Sequence, residues 1–245
     1  MKLTLGLLAA TLTLAASALA SPITVTISGP YNSLAGAEAA RNTWLGTSIG
    51  TIIEDFEGFP AQFPTGYSSL NTAIGEFRVN PAGSGGNPGA NGSSLNEVVV
   101  LNGATSPFSG RFNTTPGGAN WLDSNDITDF SLFVSVPTNV LFFFMTDTED
   151  VGTAGLLSIS ARNAFGDIVE QVISLTPVTN GASHFVGIRS EGLIEQVRWI
   201  NGEDDDGFGL DDFGIVQSEI PEPSTYVLLG SALLGAAFFR RRRQA

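Results

Sequence analysis

The feature that most restricts the fold of this sequence is a succession of short apolar segments, separated by turn residues at intervals of about 8–12 residues. Residues 23–27 alternate apolar and polar side chains, the pattern of a strand with one buried face. Residues 140–145 (VLFFFM) lack this alternation and predict a central strand that is covered on both faces. Short strands with Gly and Asn turns between them are typical of β-sandwiches and barrels. We therefore expect an all-β fold with a single jelly-roll-like sandwich.

The remaining elements follow from the same periodicity. Further strands are predicted at 51–56, 75–79, 97–101, 127–136, 156–161, 168–173, 184–188, 193–200 and 213–216. One short helix is predicted near the start, at 35–45, with Ser33 as its N-cap and Gly46 beyond its end. Residues 80–94 (NPAGSGGNPGANGSS) cannot build a core and predict a long surface loop. No repeat and no second domain boundary is evident, so residues 21–220 are expected to form one domain.

Composition excludes several classes of function. The chain has 24 acidic and 11 basic residues, with a formal net charge of -13, which argues against nucleic acid as a partner because phosphates are bound by Lys and Arg. It has no Cys, which excludes disulfides, thiol nucleophiles and Cys-type zinc sites. His184 is the only histidine, so a multi-His metal site within one chain is excluded as well.

The first 20 residues have the pattern of a signal peptide. They read MKLTLGLLAATLTLAASALA, in which Lys2 precedes an apolar run and Ala18-Leu19-Ala20 supplies a small-x-small cleavage pattern. We expect residues 1–20 to be removed before Ser21. The alternative is a short membrane anchor, although the apolar run is shorter than the roughly 20 residues that span a bilayer.

The last 25 residues, 221–245, combine three features in order. Pro221, Glu222 and Pro223 form a stiff tripeptide, since both proline φ angles are fixed. Residues 225–239 are uncharged and mostly apolar, and they predict a transmembrane helix of roughly 22 Å, short for a hydrocarbon core of about 30 Å. The cluster of arginines then follows: Arg240, Arg241, Arg242 and Arg243. The positive-inside bias keeps this cluster cytoplasmic, so the body would face outward.

This order of features resembles the PEP-CTERM sorting signal of Gram-negative bacteria. Pro221, Glu222, Pro223 and Ser224 match the core of that signal, and the four arginines match its basic end. The resemblance covers about 25 of 245 residues. It implies processing by an exosortase, a membrane-embedded cysteine transpeptidase that cuts near the motif. The other interpretation is an ordinary tail anchor that contains Pro-Glu-Pro by chance.

The resemblance also implies a location. We expect a precursor held in the inner membrane, and then a protein of the periplasm, the cell surface or the extracellular matrix. Such envelopes are linked to exopolysaccharide, biofilm or floc, so exopolysaccharide is the polymer we expect the protein to meet.

The acidic residues of the body suggest calcium as a cofactor, and no other cofactor is indicated. Residues 203–212 (EDDDGFGLDD) place carboxylates on a glycine-containing loop, and Ca²⁺ takes about six to eight oxygen ligands. The predicted ligands are Asp204, Asp206, Asp211 and Asp212, joined by Glu54 if strand 51–56 pairs with strand 213–216. The spacing is not that of an EF-hand. The alternative is a set of acidic loops that bind nothing tightly; a third acidic turn contains Asp147, Glu149 and Asp150.

Two functions remain open for the body. Core packing is the default expectation for Trp121, but it follows a Gly-rich turn, so the alternative is an exposed ring that contacts a glycan by stacking on a sugar. We predict a non-catalytic module that binds or organises an extracellular polymer. The alternative is a secreted polysaccharide hydrolase or lyase that uses a pair of carboxylates, although nothing in the sequence selects a pair.

Overall fold

A computed structural model describes residues 23–80, 97–125, 127–148, 157–173, 180–202 and 207–216. The elements are β1 (Ile23–Tyr31), α1 (Leu34–Leu45), β2 (Gly50–Glu54), β3 (Ser69–Asn71), β4 (Gly75–Val79), β5 (Val99–Asn102), β6 (Asn120–Asp123), β7 (Asp129–Val134), β8 (Val140–Thr146), β9 (Leu157–Asn163), β10 (Ile168–Ile173), β11 (Ser183–Ser190), β12 (Ile194–Ile200) and β13 (Gly209–Val216). The predicted signal peptide and the predicted transmembrane segment lie outside the described residues.

The strands form two antiparallel sheets. The first sheet has the order β1-β11-β8-β13-β6-β5, and β2 also pairs with β13. The second has the order β10-β9-β12-β7-β4-β3. The prediction of a mostly β fold with one short helix near the start is confirmed. The sequence missed β3 and β6 because each has only three or four residues, too few to show a period.

The core lies between the two sheets. Trp199 of β12 stacks on Phe130 of β7 in the same sheet, with ring centroids 5.0 Å apart. The Trp199 ring also meets Phe143 of β8 edge to face, at 5.4 Å, so the contact crosses from the second sheet to the first. Phe143 in turn stacks on Phe213 of β13 at 4.7 Å. Offset and edge-to-face aromatic pairs of this kind hold the two sheets face to face.

The helix covers part of the outer face of the first sheet. Every residue of β8 is buried, as the missing alternation predicted. Phe143 faces the core between the sheets, whereas Phe142 and Phe144 pack under α1 together with Phe185. Trp44 of α1 lies so close to β11 that a Cβ atom at Gly187 would overlap its ring. The predicted N-cap residue Ser33 has extended backbone angles but makes no capping hydrogen bond with its side chain.

Both ends of the described chain lie at the same end of the first sheet, which we call the tail-side end. Ile23 of β1 pairs with Ser190 at the end of β11. Val216 at the end of β13 pairs with Gly50 at the start of β2. The opposite end, which we call the distal end, is where β8 stops at Thr146, next to Gly209.

Candidate functional site

The predicted acidic segments come together around β13, toward the distal end. The strand pairing on which a ligand role for Glu54 depended is present, because Glu54 of β2 lies opposite Phe213 of β13. Asp147 follows directly after β8, whose last residue Thr146 pairs with Gly209. Strand order therefore gathers carboxylates that are distant in sequence.

A bulge in β13 directs two consecutive carboxylates to the same loop. The pairing of β13 with β8 shifts register between Asp211 and Gly214, and Asp212 has a φ of 52°. A bulge changes the direction of side chains that would otherwise alternate. Asp211 Oδ2 accepts hydrogen bonds from Thr114 N at 2.6 Å and Thr114 Oγ1 at 3.0 Å. Asp212 Oδ1 accepts one from Thr115 Oγ1 at 2.6 Å.

Burial changes the protonation of this pair. Asp211 is 1% exposed. Its removal from water, with the neighbouring charge of Asp212 as a second cause, raises the pKa of Asp211 to about 8. Burial also raises the pKa of Asp212 above its ordinary value. Near neutral pH the Asp211 side chain is therefore mostly a neutral carboxylic acid, enclosed beneath the loop between β5 and β6.

A second buried cluster centres on Arg111, in the same loop. Arg111 Nη1 lies 3.0 Å from Asp123 Oδ1, and Arg111 Nε lies 3.6 Å from Asp147 Oδ2. Asp147 Oδ1 accepts a hydrogen bond from Gly181 N at 2.8 Å. Burial raises the pKa of Asp123, and the charge of Arg111 opposes that rise. The cluster ties the loop to the ends of two strands. Sequence analysis missed it because an isolated arginine in SPFSGRFNTT carries no pattern.

A glycan contact at Trp121 requires an exposed ring, but the structure buries this residue, as the default expectation of core packing predicts. The residue is 3% exposed, and its Nε1 donates a hydrogen bond to Asp123 Oδ2 at 3.3 Å. Its ring packs with Val99 and Leu101 of β5, and with Phe108 of the loop that follows β5. Because this loop folds back over the sheet, the indole belongs to a small apolar cluster and offers no face to a sugar at the surface.

Glu54 and Glu57, the two glutamates of the first acidic segment, accept hydrogen bonds from backbone amides. Glu54 accepts hydrogen bonds from Phe56 N at 2.8 Å and Ala73 N at 2.9 Å. Glu57 Oε1 accepts hydrogen bonds from Ala119 N at 2.6 Å and Asn120 N at 2.7 Å. Carboxylates with such partners stabilise loops, since a carboxylate only accepts and the loop amides only donate.

The metal prediction falls partly outside the described residues. Asp204 and Asp206 lie outside them, as do Glu149 and Asp150 of the third acidic turn. Among the residues that the structure describes, no group of three or more His, Cys, Asp or Glu side chains is placed to hold a metal ion. Asp211, Asp212 and Glu54 have the protein partners given above, and calcium binding stays a prediction.

His184 lies in the core at the distal end. Its Nδ1 is 2.8 Å from Thr148 Oγ1, and a Cβ atom at Gly29 of β1 would come within 2.7 Å of its ring. Burial lowers the pKa of His184 to about 4, so the ring is neutral at physiological pH. A buried imidazole in this setting is a packing residue of β11.

The residues of the predicted sorting tail, from Pro221 to Arg243, lie outside the described residues. In the part of the chain for which the structure gives a conformation, no helix has both the length and the apolar character that crossing a membrane requires.

Comparison with known families identifies the tail. Residues 219–243 match the PEP-CTERM protein-sorting motif. The resemblance inferred from Pro221–Ser224 and from the terminal arginines is confirmed. The match begins at the third residue after Val216, the last residue of β13. No curated protein matches the chain.

Proposed function

We propose that this chain is an exported envelope protein in which a folded β body is carried by a tail that an exosortase processes. The match of residues 219–243 to the PEP-CTERM protein-sorting motif carries the proposal. The motif implies sorted export through a Gram-negative envelope, with exosortase as the processing partner. The N-terminal pattern of residues 1–20 supports export independently, because a signal peptide directs the chain across the inner membrane.

The arrangement of β13 supports a body that survives processing. β13 ends at Val216, and the Pro-Glu-Pro tripeptide starts five residues later. A cut near Pro221–Pro223 therefore removes no residue of any described strand. β13 also lies inside the first sheet, with β8 on one side and β2 and β6 on the other. Anything that the transpeptidase joins to the new C-terminus would be fixed to a strand that is hydrogen-bonded on both sides.

The tail is proposed to act by partition between membrane and water. In this account residues 225–239 enter the inner membrane, and Arg240–Arg243 stay on its cytoplasmic side. The precursor is held there until processing releases the body to the periplasm, the cell surface or the extracellular matrix. The exopolysaccharide of a biofilm is the polymer we propose it meets.

The body is proposed to be a non-catalytic module that binds or organises this polymer. A hydrolase or lyase would need a pair of carboxylates in a cleft that a polymer can enter. Asp211 and Asp212 are consecutive carboxyl groups with raised pKa values, but Asp211 is buried and hydrogen-bonded to Thr114. This burial favours the non-catalytic function over the hydrolase alternative. A jelly-roll-like chain path belongs to the same proposal, supported by the alternation of the chain between the two sheets from β6 to β9.

Mass spectrometry of the protein from native envelope tests the sorting function. We expect the mature protein to begin at Ser21 and to end near Pro221–Pro223, with added mass if a polymer is attached. In a strain that lacks the exosortase, we expect a precursor that still ends at Ala245. Arg240–Arg243→Gln should impair retention and processing, whereas Arg78→Gln, a surface arginine of β4, serves as the control. Identical C-termini in both strains would contradict the proposal.

Binding and turnover assays of the mature protein separate the two functions of the body. We expect the protein to be retained on exopolysaccharide from its own envelope, without release of new reducing ends or unsaturated products. Release of such products, abolished in Asp211→Asn, would favour the hydrolase or lyase. Absence of both retention and product release would indicate a structural protein that binds no sugar.

A further inference from the structure

The tail-side end of the body has a composition unlike that of the rest of the molecule. Five loops lie there, of which the first connects α1 to β2 and the others connect strands: 46–49, 72–74, 135–139, 164–167 and 191–193. Ile23 and Val216, the first and last described residues, lie at the same end. The segment that leads to the sorting motif therefore starts from this end.

Exposed apolar side chains gather at this end. The structure describes six large hydrophobic side chains that are exposed, and four of them lie here. Ile49 is 83% exposed and Phe165 is 67% exposed, both at loop tips, while Leu193 lies in a third loop and Ile168 opens β10. Phe165 comes within 2.6 Å of the Cβ position of Gly192, so its ring lies against the loop that contains Leu193. Single exposed apolar residues are ordinary, but several at one end mark a contact surface.

The charge distribution favours one orientation of the body relative to a membrane. The body has 23 acidic residues, and the five loops contain only two of them, Asp167 and Glu191. β8 and β12 end at the distal end, where β9 and β13 begin, and the sequence that joins them contains six acidic residues: Glu149, Asp150, Glu203, Asp204, Asp205 and Asp206. An anionic lipid surface repels the acidic distal end much more than the tail-side end. Charge complementarity therefore favours an orientation with the tail-side end toward the membrane.

Trp44 and Arg189 contact each other near the same end of the body. Trp44 lies in the last turn of α1, and the guanidinium of Arg189 lies 4.1 Å from its ring centroid. Arg189 Nη2 also donates a hydrogen bond to Trp44 O at 2.9 Å. Trp and Arg side chains are common where proteins meet lipid headgroups.

The tail limits how far this end can move from the membrane. Nine residue steps separate Val216 from residue 225, where the apolar segment starts. Even fully extended, they span at most about 32 Å. The body of the precursor therefore stays close to the membrane, at a distance similar to its own size. This tether gives the body a high effective concentration at the membrane surface, which favours contact between the two.

We infer that, in the membrane-held precursor, the tail-side end of the body docks on the lipid surface through Ile49, Phe165 and Leu193. The inference rests on the proposed function, since it requires a tail that holds the chain in the membrane. Docking places the Pro-Glu-Pro tripeptide at the membrane surface, where a membrane-embedded transpeptidase can reach it. The acidic distal end then points away from the membrane.

Single-cysteine labelling of the full-length precursor tests this orientation, because the natural chain contains no cysteine. An environment-sensitive fluorophore is attached to Ile49→Cys, Phe165→Cys or Ser33→Cys, and the protein is reconstituted in 3:1 phosphatidylethanolamine:phosphatidylglycerol vesicles. Ser33 is exposed at the distal end and is the matched control. We expect nitroxide lipids with shallow labels to quench the first two positions several-fold more than Ser33. Equal quenching at all three positions would overturn the inference.

Removing the apolar contacts should release the docked state. With the label at Leu193→Cys, the change Ile49→Ser with Phe165→Ser should reduce the ratio of docked to undocked protein by about tenfold per side chain. Val172→Ser, an exposed apolar residue toward the distal end of β10, is the control and should leave quenching unchanged. A double variant that is quenched like the parent protein would refute docking through these side chains.

Vesicle flotation separates the inference from the proposed function. If the full-length chain does not float with vesicles, the tail does not hold it and the proposed function fails. If the chain floats but positions 49 and 165 report water, the membrane hold stands and the docking inference alone is wrong.

Discussion

The buried histidine makes a quantitative prediction about acid stability. His184 is the only histidine of the chain, and burial in the core lowers its pKa from 6.5 to about 4. Between pH 4 and pH 6.5 the imidazole is protonated in the unfolded chain but neutral in the folded protein. Stability is therefore fully present above pH 6.5 and is lost as the pH falls toward 4. The difference between the two pKa values corresponds to a loss of roughly 3 kcal/mol in the free energy of unfolding.

His184→Gln isolates this contribution. Glutamine retains hydrogen-bonding groups near Thr148 but cannot take up a proton. At pH 7.5 the variant should be less stable by about 1–2 kcal/mol, because packing and the hydrogen bond are imperfectly replaced. At pH 4 the wild-type protein has lost roughly 3 kcal/mol from this group and the variant has not, so their order should reverse. Carboxyl groups that titrate in the same range are common to both proteins and cancel in the difference.

Urea unfolding followed by tryptophan fluorescence, at pH 7.5, 6, 5 and 4, measures the difference. The single imidazole can also be titrated directly by NMR in the folded protein. Thr148→Val is the control: it removes the hydrogen-bond partner and leaves the ring, so its effect should vary little with pH. A ring that titrates near 6.5, or a difference between wild type and His184→Gln that is constant over this range, would refute the burial argument.

Other perturbations test the rest of the structure. The pKa of Asp211 in the folded protein is raised to about 8, so the free energy of unfolding of the wild type should fall as the pH rises from 4 to 8. Asp211→Asn lacks this titration, so its stability relative to the wild type should increase by roughly 5 kcal/mol over that range, as measured by urea unfolding. A stability difference that stays constant with pH would count against the argument. Arg111→Met leaves Asp123 and Asp147 without their buried cation and should cost about 3–5 kcal/mol, measured by the same unfolding at pH 7.5. Gly187→Ala forces the helix from β11 and should cost about 1–3 kcal/mol, with a changed near-ultraviolet dichroism; unchanged dichroism would show that the helix docks differently. The calcium prediction requires millimolar Ca²⁺ to raise the melting temperature of the mature protein, and an unchanged value removes it.

Local pattern was sufficient for most of the strands and for the helix. The uninterrupted apolar run of β8 correctly indicated a strand covered on both faces, since a strand exposed on one face would alternate. The apolar run could not indicate which parts of the protein cover the two faces of β8. One face lies in the core between the sheets, and α1 with Trp44 covers the other. β6 was missed although all four of its residues are buried, because a segment of that length has no measurable period.

The site shows a similar division. The sequence offered a ligand role for Glu54 only on the condition that strand 51–56 pairs with strand 213–216, and the tertiary structure contains that pairing. The sequence could not show that Glu54 accepts backbone hydrogen bonds from Phe56 and Ala73, because Ala73 comes from another part of the chain. The alternative of an exposed Trp121 stayed open for the same reason, since the loop that buries it lies against the sheet only in the tertiary structure.

The order of residues along the chain was enough to identify the sorting motif, which implies export through the envelope. The PEP-CTERM motif is recognised as a linear segment, so its chemistry is contained in consecutive side chains. Only the tertiary structure decided that the carboxyl group of Asp211 is mostly neutral near pH 7, and at which end of the sheets the exposed apolar side chains gather. Burial and neighbouring charge set both, and each depends on residues that strand order brings together from distant parts of the sequence.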